Sequence, residues 1–348
     1  MRFSPPALVD FAAAALTRAG MDEDKAAVVG ELLVEADLMG HDTHGLNLLD
    51  RYVAELRKGT LNGRGNPEIL KDRGAVAQWD GNWLSGVWLT VKALETAAER
   101  ARRFGIGVVN IRRAHHTACL AAFLPRVTSQ GLVAIIASSD PSPAAASVAA
   151  FGGLDRVLGP DPLAVGIPTD GDPILIDTSA SITTNGMTGR IAAEGGRLPG
   201  QWVQDAAGNL SDDPAVLTTD PPGTLLLAGG QNHGQKGYAT ALMVEALTHG
   251  LAGYGRRNAE RRWTAAIYVQ VIDPEAFAGI DDFGAETGFL AAACRASRAH
   301  PDFGAVRLPG QRALERKREA ESNGLTLRAD IVAKLEKLAE ELDLPALS

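Results

Sequence analysis

A chain of 348 residues that is 45% hydrophobic and 22% charged can bury a sizeable core and has room for two domains. Its 42 acidic against 34 basic side chains give a formal charge of -8, which argues against the broad basic face that nucleic acid or an anionic membrane requires; a local basic patch for a small anion stays open. Cys119 and Cys294 stand far apart with no CxxC or Cys/His zinc spacing, so neither a disulfide framework nor a structural metal site is expected, and a reducing cytoplasm suits the chain. The opening "MRFSPPALVDFAAAALTRAG" is too short and interrupted for a membrane span, and Pro5, Pro6 and Asp10 spoil a secretory apolar region. A mature cytoplasmic start is the expectation.

The first sixty residues predict three helices. Ser4 with Pro5 signals a start and Gly20 a stop; Asp22 can cap a helix that ends at Gly40; Thr43 can cap "HGLNLLDRYVAELRK", which ends at Gly59. Leu46, Leu49, Val53 and Leu56 recur at helical spacing and give the third helix one buried face. The polar stretch "KGTLNGRGNPEILKDRG" then reads as a connection between domains. From about Gly74 short apolar runs ("IGVVNI", "LVAIIAS", "LAVGIP", "ILIDTS", "AAIYVQVID") read as strands, alternating with helical stretches such as "LTVKALETAAERARRFG". "PSPAAASVAAFGG" suits a loop, and the two charged segments after residue 310 suit surface helices. The expected division is a helical unit of residues 1–73 joined by 310–348, and an α/β unit of 74–309.

The usual phosphate loops are absent. No G-x-G-x-x-G joins a strand to a helix with an acidic residue some twenty positions on, and "GGQNHGQKGY" lacks the Gly-Lys-Ser/Thr ending of a Walker loop. That glycine-rich turn does feed a helix with Lys236 at its entry, which is either an anion seat or a tight turn with a solvated lysine. His44 falls where a first helical turn would disfavour its protonation, and His116 where a strand gives way to an apolar helical pattern; either is a base or a satisfied structural histidine. His41, His115, His233, His249 and His300 take the structural reading. No His-x-x-x-His with a nearby Glu appears, so no catalytic metal is expected.

Seven ordered stretches, "ADLMGHDTHGLNLLDRYV", "GIGVVNIRRAHHTACLAA", "FGGLDRVLGPDPLAVGIPT", "ILIDTSAS", "LPGQWVQDAAGNLSDDP", "GQKGYATALMVEALTHGLAG" and "LPGQRALERKREAESNGLTLRADIVAKL", resemble the malate/L-lactate dehydrogenase type 2 family over nearly the whole chain. The resemblance implies an NAD(P)-dependent oxidoreductase with a non-Rossmann α/β (α+β) nucleotide fold, a mixed sheet with flanking helices plus a helical domain made from both termini. It implies a small-molecule substrate, a homodimer, and NAD or NADP as cofactor. By position His116 would be the general acid/base, with His44 beside the substrate and Asp177 beside the nicotinamide; Thr43 and Tyr52 would meet the substrate. Ser139, Asp177, Thr178, Ser179, Lys236, Pro309 and Gly310 would contact the cofactor.

The chain also departs from the resemblance. Leu48 stands where many members place an arginine that grips the substrate carboxylate, and a leucine cannot hold an anion. Arg51 is near in sequence and is the candidate substitute for holding the substrate, but it lies about 60° round the helix by its three-residue offset, which favours a solvated surface position. Pro160 removes a backbone donor, Asp161 adds an acid, and Met187 replaces a lysine. Losing two cations and gaining an acid would weaken binding of a small dicarboxylate such as malate. The expectation is a bulkier or less anionic 2-oxo acid, a cyclic imino acid or another polar carbonyl compound; the alternative is a catalytically silent relative that binds cofactor or ligand.

Overall fold

The computed structural model describes residues 2–347. Its N-terminal helices run Pro5–Arg18, Glu23–Leu38 and Leu49–Lys58. The third ends at Gly59 in the left-handed conformation (φ 71°) that glycine adopts without steric cost. Its start differs from expectation: Leu46–Leu48 form a 3-10 turn, and the α-helix begins only at Leu49. The reason is a tether to the preceding helix, whose Asp37 carboxylate accepts the Leu46 N–H at 2.7 Å while Gly45 lies against that carboxyl with no room for a side chain. His44 is therefore in a turn and not at a helix N-terminus, and the macrodipole argument does not apply to it.

The C-terminal helix Gln311–Asn323 packs on Glu23–Leu38, and Ala329–Leu342 packs on the first and third helices. Leu8, Leu33, Leu49 and Leu335 from these helices join Val109 and Ile267 of the main sheet in one apolar cluster, which runs unbroken past residue 73. No helix among the described residues is long and apolar enough to cross a membrane.

The architecture is mixed α/β. Seven strands form the main sheet in the spatial order Glu68–Asp72, Val76–Asp80, Ile106–Ala114, Ala265–Ile272, Val133–Ser139, Pro162–Ile167 and Ile174–Ser179. Every neighbouring pair is antiparallel except Val76–Asp80 with Ile106–Ala114. A parallel pair needs a crossover, and the helix Gly86–Phe104 supplies it. Glu68–Asp72 lies in the stretch expected as a connection. It is an edge strand with Ile69 61% exposed, so it shows little of the alternation that marks a half-buried strand. A second sheet of five short strands has its own apolar cluster, with Val148, Leu158, Val203 and Leu225 at its centre. Its strand Val148–Ala149 lies inside the stretch expected as a loop.

Beyond Ala114 the expected apolar helix does not form. Residues 115–120 are irregular, Ala121–Phe123 make a 3-10 turn, and only Pro125–Thr128 is α-helical. Pro125 lacks an N–H and its ring would collide with the carbonyl four residues back, so a helix can start there but not pass through. Arg113 (φ 52°) and Ala118 (φ 56°) bracket the His115-His116 pair in left-handed backbone that non-glycine residues seldom adopt. Asp80, fully buried, anchors the near side: it accepts Arg112 Nε at 2.8 Å and Arg113 Nε at 2.8 Å, and these partners hold its carboxyl below the usual range against the cost of burial.

The crossover helix begins directly beneath this turn. A β-carbon on Gly86 would overlap the carbonyl oxygens of His115 and His116, so the absence of a side chain sets how closely helix and turn approach. Alanine gains about 1 kcal/mol in helix propensity, yet the overlap is with backbone that cannot rotate away. Gly86→Ala is expected to lower stability by about 1–3 kcal/mol, read as a lower urea midpoint; an unchanged or higher midpoint contradicts this account of the turn.

Candidate active site

A cavity of about 1430 Å³ opens between the N-terminal turn, the end of strand Ile106–Ala114 and the strands Val133–Ser139 and Ile174–Ser179. It exceeds the roughly 300–1,000 Å³ of ordinary ligand pockets. His44, His116, Thr43 and Arg51 line one side; Ser139, Asp177, Thr178 and Ser179 line another. The structure thus brings together residues more than a hundred positions apart. Tyr52, Lys236, Pro309 and Gly310 are not on this wall.

His116 is the most constrained of these groups. Its Nδ1 lies 2.9 Å from the Tyr52 hydroxyl and accepts the Ala118 N–H at 3.2 Å. An N–H can only donate, so this contact favours the neutral ring with its proton on Nε2. The Tyr52 hydroxyl can both donate and accept, and therefore also serves a ring protonated on Nδ1. Nε2 has no partner among the described residues and is not sealed from solvent. Burial, reinforced by the nearness of His44, His115 and Arg51, holds the His116 pKa well below the ordinary histidine value. Tyr52 is 1% exposed, and burial drives its pKa up, so it stays a neutral phenol that positions His116 from behind. Tyr52 thus stands behind His116, off the cavity wall where it was expected to meet the substrate.

His44 lies parallel to His116 with ring centres 6.0 Å apart, and its Nδ1 is 2.9 Å from the Thr43 hydroxyl. Burial pushes its pKa down to about 4. Across the cavity the Asp177 carboxylate accepts the Ala121 N–H at 2.9 Å; desolvation raises its pKa and nearby His41 opposes the rise. His41, taken as structural from sequence, is on the wall.

Trp263 is the residue that the sequence reading missed. It lies in "RRWT" just before the central strand, and an aromatic at a strand end was the available signal. Its ring stacks on His116 at 4.4 Å and 26°, and the Arg51 guanidinium lies 3.4 Å over its centre. Arg51 is therefore on the cavity wall and not merely solvated: the 3-10 turn before its helix and the Trp263 ring together bring it round. Lys58, Arg261 and Arg262 also line the cavity, cations that the motifs did not point to.

Asp161, in left-handed backbone (φ 47°), accepts the Ser139 hydroxyl at 2.7 Å and lies 3.7 Å from Arg256, which also pairs with Glu245. Burial and the Glu245 charge raise its pKa to about 6. Its expected effect as an uncompensated acid is offset by Arg256. Met187 lies on the wall, and Arg190, paired with Asp42, approaches its sulfur at 2.9 Å.

Lys236 is exposed. Gly234 and Gly237 form the buried side of its turn, and a β-carbon on Gly237 would crowd the backbone of Ala180 and Ala228, so the lysine faces outward. Pro309 accepts the Leu175 N–H at 3.0 Å and Gly310 packs on the Leu175 side chain, two residues from Asp177 but behind the wall. Among the described residues no group of three His, Cys, Asp or Glu side chains converges to hold a metal ion.

The sequence profile described as malate/L-lactate dehydrogenase matches residues 3–336. Hydroxycarboxylate dehydrogenase B of Escherichia coli O157:H7 is 30% identical over 99% of this chain and 95% of its own length. Malate dehydrogenase of Pyrococcus abyssi is 27% identical over 100% and 96%. Among solved structures, delta1-piperideine-2-carboxylate reductase from Pseudomonas syringae superposes with a TM-score of 0.82 at 25% identity, covering 97% of this chain and 100% of that one. The chain belongs to the malate/L-lactate dehydrogenase family and is an oxidoreductase acting on CH–OH groups.

Proposed function

We propose that this oxidoreductase moves a hydride between a nicotinamide dinucleotide, NAD or NADP, and a 2-hydroxy acid/2-oxo acid pair or a cyclic imino acid, with His116 as general acid/base. The observation that carries this reading is His116 itself, with its inner nitrogen held by Tyr52 and Ala118 and its outer nitrogen open in a cavity large enough for a dinucleotide and a small acid together. The relatives are enzymes named for malate, sulfolactate, hydroxycarboxylate and piperideine-2-carboxylate, in keeping with an acid substrate. A silent binding role finds no support among them.

The wall residues suit a dinucleotide. Ser139, Thr178 and Ser179 offer hydroxyls, and the helix Asn185–Ala193 begins on the cavity with Thr184 as its cap, so its first N–H groups can receive a phosphate. A dinucleotide held by these residues would supply or take the hydride through its nicotinamide. Lys236, Pro309 and Gly310 are left out of the contacts made within one chain. A homodimer completes the reading: helix Ile280–Ala296 leaves Phe289 74% and Leu290 61% exposed, an apolar face for a second copy.

In the reductive direction protonated His116 gives its Nε2 proton to the substrate oxygen or imine nitrogen; in the oxidative direction the neutral ring takes the proton back. Tyr52 holds the ring in place through either step. Arg51, flat over Trp263, keeps the edge of its guanidinium open for the substrate carboxylate, the task that Leu48 cannot perform.

Replacing His116 with Gln is expected to lower kcat by roughly 10²–10⁴-fold in both directions while fluorescence titration still shows cofactor binding; near-normal turnover sinks the assignment. Because the His116 pKa is lowered, the neutral base dominates at pH 7 and oxidation should fall only on acidification through that lowered value. Reduction needs the protonated ring and should therefore speed up as pH is lowered through the neutral range. Initial rates from pH 5 to 9 in both directions test these signs. Arg51→Leu is expected to raise KM for a 2-oxo acid roughly 10- to 100-fold, with Arg51→Lys intermediate; an unchanged KM shows that another group holds the carboxylate.

A further inference from the structure

We propose that Trp263 is a positioning residue that couples substrate-carboxylate recognition by Arg51 to protonation of His116, through the two faces of one indole ring. This inference rests on the reading of Arg51 and His116 given above. Arg51 and His116 both lie too close to the centre of the indole to share a face without overlapping, at 3.4 Å and 4.4 Å, so the ring is sandwiched between them. His115 meets the same ring edge-on at 5.0 Å, and Tyr52 is tilted against it at 5.7 Å, which fixes its plane. An indole face carries negative electrostatic potential and attracts a cation. One ring thus has a permanent guanidinium on one face and, on the other, an imidazole that must carry positive charge in order to donate a proton.

The two cations oppose each other while the site holds no anion. Arg51, itself exposed, satisfies one face and, from the other side of the ring, resists protonation of His116. A substrate carboxylate on Arg51 cancels that repulsion, and the freed π-density then favours the imidazolium. The proton donor is charged most readily when an acid substrate is in place, and least when water alone fills the cavity. The groups around His116 are consistent with this role: His44 is neutral, Tyr52 is a neutral phenol, and the Glu55 charge acts on His115, which is 3.9 Å from it. Arg262 is occupied elsewhere, donating to the Thr60 carbonyl and lying over Trp83. Of the arginines and the lysine on the cavity wall, Arg51 alone is among the groups that lower the His116 pKa, and it is the cation whose neutralisation His116 feels through Trp263.

The test is an NMR titration of the imidazole resonances in histidine-labelled full-length protein without cofactor, with and without oxalate as the carboxylate probe, the His116 signal being assigned by its loss in His116→Gln. Oxalate is expected to raise the His116 midpoint by about 0.5–1 pH unit in the wild type. The rise should largely persist in Trp263→Phe, which keeps an aromatic face, and fall to less than half in Trp263→Leu, while the other histidine signals report that each variant is folded. An equal rise in wild type and Trp263→Leu overturns the coupling but leaves the function intact, as does the absence of any rise in a wild type that binds oxalate. Arg51→Leu separates the two levels: undiminished oxalate affinity in that variant overturns the role of Arg51 in substrate binding, and this inference with it.

Discussion

The proposed proton exchange requires His116 to present one nitrogen outward, and the fold commits its other nitrogen inside. The Tyr52 hydroxyl and the Ala118 N–H converge on Nδ1 from two unrelated segments. Much of the surrounding architecture serves that convergence. Left-handed backbone at Arg113 and Ala118 turns the chain sharply at the end of its strand, the buried Asp80 pins the start of the turn through two arginines, and bare Gly86 lets the crossover helix approach from below. Backbone strain at such positions persists only where neighbouring contacts over-determine it. Here the contacts come from a helix, two strands and an ion-pair cluster.

The electrostatics of the site follow from burial more than from net charge. The chain is acidic as a whole, yet the cavity carries several guanidinium groups, and its histidines are pushed toward neutrality by desolvation. Asp161 and Glu245 share Arg256 at the far wall, where Ser139 bridges the two carboxylates. An acid in the sequence is therefore no guide to repulsion of an anionic ligand until its partner is known, and Arg256 lies almost a hundred residues beyond Asp161.

This sets the limit on what the linear chain could reveal. Helices with capped ends and one apolar face were readable, as were the long central strands, because their signals are local. The two-residue strands of the second sheet and the exposed edge strand Glu68–Asp72 carry no such period. Within the site, motif resemblance picked out His44, His116 and Asp177, which lie on one cavity wall or another. It did not foretell that His116 stands in front of Tyr52, because helix periodicity gives a direction but not what stands in between, and it passed over Trp263, whose significance depends on two rings and a guanidinium meeting from three parts of the chain. Arg51 looked misdirected on an ideal helix, but the real helix starts later and an aromatic platform receives it.

The central strand Ala265–Ile272 is flanked on both sides by strands made well over a hundred residues earlier in the chain. During synthesis its two neighbours therefore wait with unsatisfied edges facing an empty slot, and the N-terminal helices likewise wait for partners beyond residue 310. Such long sequence separations slow the search for native pairing and prolong the exposure of sticky intermediates. The same arrangement makes the finished protein all-or-nothing: a ribosomal product cut short before residue 265 lacks the piece that closes the sheet and cannot assemble the wall on which His116 stands.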